Sequence, residues 1–226
     1  MTARSRDRLE FRDAQFGIGD SVHQFGPGRW ARQSAGSYMT SLHSQPQRIT
    51  ICSACTWARV YLAASAGLGL RIVLDDKYPR IIDRCREAID ALMPGQRAAT
   101  LRRPNNYAEV SLYSKHWPCL LPQHGPGRKH LRPIRLEPWQ VVLIKEATED
   151  FIRGLIESDG CRVVANDRGV RSVRYHFSNR SDDIRGLFCA ALDELGIPWT
   201  RPRWFEIAVY RKAAVARLDE FIGPKA

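Results

Sequence analysis

Two stretches of this 226-residue chain, about a hundred residues apart, read as variants of one text. "LRIVLDDKYPRIIDRCREAIDALMPG" begins at Leu70 and aligns with "VRYHFSNRSDDIRGLFCAALDELGIP" beginning at Val173. "AEVSLYSKHWPCLL", from Ala108, aligns with "FEIAVYRKAAVARL", from Phe205. A repeat of that length fixes the architecture before any single residue is considered, because each copy must fold to the same plan. The expectation is a pseudo-twofold α+β pair.

The plan can be read element by element. "GLRIVLDD" alternates Leu70, Ile72 and Leu74 on one face and predicts a strand. "PRIIDRCREAIDALMPG" carries Ile81, Ile82, Cys85, Ile89 and Leu92 on a helical stripe closed by Pro94 and Gly95. "AATLRR" and "AEVSLYS" predict two strands around the turn "PNN", and "LEPWQVVLIKEA" a short helix. In the second copy, helix "DFIRGLIESDG" leads to strands "CRVVAN" and "VRSVRYHFSNR", where Val173, Tyr175 and Phe177 alternate with Arg174, His176 and Ser178. An N-capped helix, "SDDIRGLFCAALDELG", follows, then strands "WTRPRW" and "FEIAVYR" and the helix "KAAVARLDEFIG". Each half thus reads helix, two strands, helix, two strands, helix. The division is residues 61–146 and 147–226, with the first half lacking its opening helix. Residues 1–60, rich in Ser, Arg, Gln and Gly, hold no sustained period and are expected to be irregular.

Charge narrows the partner. Lys plus Arg is 35 against 24 acids, a net +11, and an excess of that size favours a polyanion, nucleic acid ahead of a membrane surface. With no segment apolar enough for a membrane span or a leader, the expected compartment is the cytoplasm. Six cysteines there are expected as thiols. "CSAC" at 52–55 is a lone pair without a second pair at zinc-ribbon spacing. His116, Cys119, His124 and His130 fit no finger spacing and, with Pro118, Pro122 and Pro126, read as a basic loop. No Gly-rich phosphate loop is present.

The helix "EDFIRGLIESDGCRV" decides the rest. Gly154 removes a side chain where another helix can approach, Leu155 stands beside it in that interface, and Asp159 lies in the last turn before Gly160, a helix stop. A carboxylate beside a helix C-terminus is disfavoured by the dipole and gains by binding a cation. "FIRGLIESDG" resembles the motif of the LAGLIDADG (DOD-type) homing endonuclease family, and the element order agrees over residues 61–226. The resemblance implies duplicated αββαββα repeats, two motif helices packed at the centre and a saddle of strands over double-stranded DNA. It implies a metal-dependent phosphodiester hydrolase. Asp159, with Gly160 beside it, takes the place of the metal site for Mg2+, and Lys115 and Lys212, at matched places after the fourth strands, take that of basic catalytic residues. The DNA contacts it implies are Arg162, Arg168, Arg171, Arg174, His176, Arg180, Arg201 and Arg203, on the second sheet or its turns.

The first motif is the difficulty. It should precede Tyr61, where the chain reads "ICSACTWARV", with no acid. Read literally, the first motif helix is degenerate, and the chain is an impaired or nicking endonuclease, or a DNA-binding regulator on the same fold. It is then expected as a monomer of two pseudo-symmetric repeats, or as a dimer if the first motif is truly absent. The genetic code permits another origin. The string T ATC TGC TCG GCC TGT ACC TGG GCG AGG GT encodes this peptide, and read one base earlier it gives YLLGLYLGEG, a motif of the expected kind. Residues up to about 60 are on this reading out of frame relative to an ancestral gene, which the nucleotide sequence can decide.

Overall fold

The computed structural model describes residues 60–63, 69–123 and 128–225. Strand β1 (Val60–Ala63) and β2 (Gly69–Asp75) lead to helix α1 (Pro79–Leu92), then β3 (Ala99–Arg103) and β4 (Tyr107–Tyr113). A short helix α2 (Trp117–Leu120), a 3-10 turn (Lys129–Leu131) and α3 (Pro138–Glu146) connect to the second half. There α4 (Thr148–Asp159) is followed by β5 (Gly160–Asp167), β6 (Val170–Ser178), α5 (Asp182–Glu194), β7 (Thr200–Arg203), β8 (Glu206–Val209) and α6 (Lys212–Phe221). The two four-stranded antiparallel sheets have the same order, β1-β2-β4-β3 and β5-β6-β8-β7. The expected α+β plan is the one observed; the degenerate first motif helix, the segment 1–59 with "CSAC" and the frame question, and His124 lie outside the described residues.

Alternation builds each half. Leu70, Ile72 and Leu74 of β2 and Ala108, Val110 and Leu112 of β4 turn one way, onto Ile81, Ile82, Cys85 and Ile89 of α1. In the second half Tyr175 and Phe177 of β6 and Ile207 and Val209 of β8 meet Phe151, Ile152, Leu155 and Ile156 of α4 and Phe188 and Leu192 of α5. Each fully buried Leu, Ile, Val or Phe among them contributes about 1.5–3 kcal/mol of transfer free energy. The ring of Phe177 lies 4.4 Å from that of Phe188. Helix α3 joins the two cores: Leu143 and Trp139 pack in the first, Ile144 in the second.

The ends of the elements have local causes. Ser181 caps α5, its hydroxyl accepting from the N–H of Ile184, with Asp182 and Asp183 in the first turn. Glu137 and Gln140 form a capping box at α3, whose first residue is Pro138. The β5–β6 hairpin turns on Arg168 (φ 52°) and Gly169 (φ 91°), the left-handed pair of a tight two-residue turn.

Three local expectations differ from the structure. The stretch around Pro118, expected as loop, forms α2, because buried Trp117 anchors it by donating its indole N–H to the carbonyl of Leu112 at 2.9 Å. Gly160 stops α4 as expected, but with an extended backbone from which β5 begins rather than in the left-handed conformation common at helix ends. The glycine is required by space, since a Cβ would lie 2.9 Å from the carbonyl oxygen of His176 and 2.8 Å from Cα of Ile156. Thirdly, with the fourth strands aligned, the central pairs are offset from the sequence alignment by two residues. Leu70 faces Leu112 and Tyr175 faces Val209, so Arg71 corresponds to His176 rather than to Arg174. A slide of two residues preserves which face is buried, so the apolar pattern cannot detect it.

Candidate nucleic-acid interface and the end of helix α4

Asp159 closes α4 where β5 begins, and Gly160 is level with Phe177 of β6, which is level with Ile207 of β8. The side-chain amide of Asn179, just past β6, donates to Oδ2 of Asp159 at 2.9 Å, while its own oxygen accepts from the backbone N–H of Ser181 at 2.8 Å. Asn179 thereby ties the Asp159 carboxylate to the cap of α5. Two residues back on α4, Glu157 points elsewhere. It is buried, and its carboxylate pairs with the guanidinium of Arg84 on α1, joining the two halves. Burial pushes the Glu157 carboxyl above the ordinary value of 4.5, outweighing the guanidiniums of Arg84 and Arg153. Nε of Arg84 is buried with no partner among the described residues.

Gly154 and Leu155 are buried on α4. Leu155, with Phe151, Ile152 and Ile156, packs in the core of the second half, and the helix expected against Gly154 falls outside the described residues.

Could the end of α4 hold a divalent cation? Such ions take oxygen ligands, and Mg2+ is often held by one or two carboxylates with substrate phosphates completing the shell. Asp159 fits the one-carboxylate form of such a site. Among the described residues no group of three or more His, Cys, Asp or Glu forms a cage built by the protein alone.

The expected basic residues separate into distinct settings. Arg174 and His176 stand on the face of β6 opposite the buried Tyr175 and Phe177. Arg174 pairs with Asp167, donates to the hydroxyl of Ser172 at 3.1 Å, and lies 5.2 Å from the ring of Tyr210. Nδ1 of His176 is 2.9 Å from Oε1 of Glu206, and its ring meets that of Tyr210 edge-on at 5.8 Å. Arg203 is exposed on β7, 3.9 Å from Glu206. Arg201 donates to the carbonyl of Trp204 at 2.6 Å. Arg168, Arg171 and Arg180 are exposed. Arg162 differs from the expectation: it is level with Tyr175, on the helix side, where its Nε and Nη2 grip Asp219 of α6 at 2.8 and 2.9 Å. Lys212 opens α6 beyond Val209, at the end of β8 away from Gly160, and Lys115 follows β4 of the other sheet.

Sequence reasoning missed the residues that organise the outer faces. Glu109 on β4 lies 3.0 Å from Arg71 and 3.9 Å from Arg103. Glu206 has the same relation to His176 and Arg203. The signal was present in the aligned strings "AEVSLY" and "FEIAVY", which set Glu109 on Glu206 and Tyr113 on Tyr210.

These elements define a class, two αββ-type sheets of identical strand order each backed by helices. Comparison of structures then identifies the fold as that of the LAGLIDADG proteins. Variants of the homing endonuclease I-DmoI match with a TM-score of 0.50 and 14% identity, over 79% of this chain and 97% of theirs. I-DmoI in complex with DNA and Mn matches with a TM-score of 0.48 and 15% identity, over 79% of this chain and 97% of that one. The N-terminal LAGLIDADG domain of DUF199/WhiA matches with 0.47 and 15%, over 80% of this chain and 83% of that one. No family model matches the sequence, and no curated protein is significantly similar to it.

Proposed function

We propose that this chain binds double-stranded DNA along the outer faces of its two sheets, as a monomer whose halves each address one side of the target. The observation that carries the reading is the division of β6, with Tyr175 and Phe177 in the core and Arg174 and His176 on the opposite face. Arg168 and Arg180 add cations in the turns and Arg201 and Arg203 on the edge strand β7, whereas Arg171, by the alternation of β6, shares the face of Tyr175 and is set aside; the net charge of +11 supplies the sequence-independent attraction to phosphate. Arg162 acts in stability instead, through Asp219.

Hydrolysis on this reading is confined to one strand. Asp159 would hold a divalent cation such as Mg2+, beside Gly160, with DNA phosphates completing the shell. A cation bound there would acidify a water and neutralise charge on the phosphate. Asn179 keeps the carboxylate oriented, and Glu157, committed to Arg84, is not available as its partner. Because "ICSACTWARV" contains no acid, a second carboxylate from the expected first motif is absent from the sequence. That same observation favours the second reading, a DNA-binding regulator that does not cut.

A supercoiled plasmid incubated with Mg2+ separates the two. Nicking by the native chain and none by Asp159→Asn supports the endonuclease; nicking by both alike removes Asp159 from the chemistry. No nicking with DNA affinity retained supports the regulator.

A further inference from the structure

The turn that joins β7 to β8 holds a large aromatic side chain out of the core. Trp204 is 60% exposed, yet it is fixed in place. Its carbonyl accepts from Nε and Nη2 of Arg201 at 3.2 and 2.6 Å, and its ring meets that of Phe205 edge-on at 5.3 Å. The guanidinium of Arg185 lies 5.7 Å from the centre of the ring. Arg185 is itself buried and held, donating to the carbonyl of Asn179 at 2.5 Å and to the carboxylate of Asp182. The indole is thus backed by protein while more than half of the residue stays in water.

The strand ladders define where this turn stands. Ser178 is level with Glu206 and Phe177 with Gly160, so the β7–β8 turn lies at the end of the sheet that carries Asp159. Asn179 joins the two: its backbone N–H donates to the carbonyl of Phe205 at 2.9 Å and its side-chain amide to Asp159. The surroundings are cationic. Arg180, Arg201 and Arg203 are exposed, while Asp182 pairs with Arg185 and Glu206 lies 3.9 Å from Arg203. The first sheet is built differently at this place. Tyr107 is the residue aligned with Trp204, but it is level with Arg103, inside the β3–β4 ladder, and the turn is Pro104, Asn105 and Asn106. In the second sheet Arg203 is level with Glu206, which leaves Trp204 and Phe205 to form the turn.

A fixed, exposed indole among arginines suits the interior of a base stack. Aromatic rings stack on bases whatever their sequence, cations beside them hold the adjoining phosphates, and side chains inserted between base pairs unstack and kink a duplex. Resting on the DNA-binding part of the reading above, and not on hydrolysis, we propose that Trp204 is a wedge that enters one base step of the bound duplex. Arg201 and Arg203 hold the phosphates on either side of that step. The wedge belongs to the second half alone, so the bound DNA is kinked asymmetrically despite the repeated fold. The step it enters is a pyrimidine–purine step, TA or CA, because these unstack most easily.

The test takes the most enriched duplex from a randomised DNA pool and replaces each adenine in turn by 2-aminopurine, whose fluorescence rises when it is unstacked. The native chain should brighten one step on one side of the target and leave its mirror position dark. Trp204→Phe should keep the rise. Trp204→Ala and Trp204→Gln should abolish it, the second retaining bulk in the turn without an aromatic ring. A mismatch placed at the brightened step removes the cost of unstacking in advance; it should tighten binding of the native chain by about tenfold and leave that of Trp204→Gln unchanged within about twofold. A tryptophan that served only the fold would leave the mismatch preference intact in every variant that still binds. A bound duplex with no brightened step, or one brightened equally by Trp204→Ala and Trp204→Gln, overturns the wedge alone. A native chain that retains no duplex above background overturns the DNA-binding reading with it.

Discussion

Two carboxylates on one helix turn, Glu157 and Asp159, illustrate how environment assigns roles to like residues. Glu157 is buried against Arg84, whereas Asp159 lies at the helix end under the amide of Asn179. The raised proton affinity of Glu157 has a stability consequence of definite sign. A carboxyl whose folded value is raised favours the fold at acid pH, and that contribution is lost as pH rises through the folded value. Glu157→Gln removes the dependence. Its melting temperature relative to the native chain should therefore increase as pH rises above about 4.5, then level off; thermal unfolding at a series of pH values measures it. Of these two residues the sequence revealed Asp159, through its place before Gly160. The burial of Glu157 was not legible, because its partner lies 73 positions away on another helix and no local spacing encodes it.

At the scale of elements, α6 is fastened to β6 by a polar cluster. Asp219 accepts both bonds from Arg162 and one from the hydroxyl of Tyr175 at 2.6 Å, and the same hydroxyl is 3.2 Å from the carbonyl of Gly223. Arg162 and Tyr175 hold the Asp219 carboxyl below the usual carboxylate range, and burial with Asp219 pushes the Tyr175 phenol well up. Asp219→Asn should cost about 1–2 kcal/mol at neutral pH, a charge-assisted bond discounted for partial exposure. A depressed carboxyl stabilises above its unfolded value and loses that effect as pH falls through the folded one, so the deficit should shrink in acid. Denaturant unfolding at two pH values checks both the size and the trend. The elements themselves were readable wherever a stripe or an alternation ran unbroken, as in α1 with Ile81, Ile82, Cys85 and Ile89. Helix α2 was hidden by Pro118, which is compatible with a helix start but reads as a loop beside Pro122.

For the whole molecule, what was legible is the repeat, and what was not is how the two copies differ. Matched strings predicted two sheets, and the sheets have one order. Matched strings also set Arg71 on Arg174, and there the sheets disagree, because pairing register is set across strands rather than along them. If cations of both sheets meet phosphate, affinity for DNA should fall steeply and linearly on a log–log scale with salt, at about 0.9 per phosphate contacted. Titration by fluorescence anisotropy at several salt concentrations gives that slope; a flat line would place recognition elsewhere than on these faces.

The two-residue offset has an evolutionary consequence. A strand that slides by one pleat keeps every apolar side chain in the core while presenting a new row of side chains to a ligand. Duplication followed by such a slide lets one copy acquire a different recognition alphabet in a single step, without a core substitution and without passing through an unstable ancestor. Such a slide would set a histidine beside Glu206 where an arginine stands beside Glu109, the difference that separates the two faces.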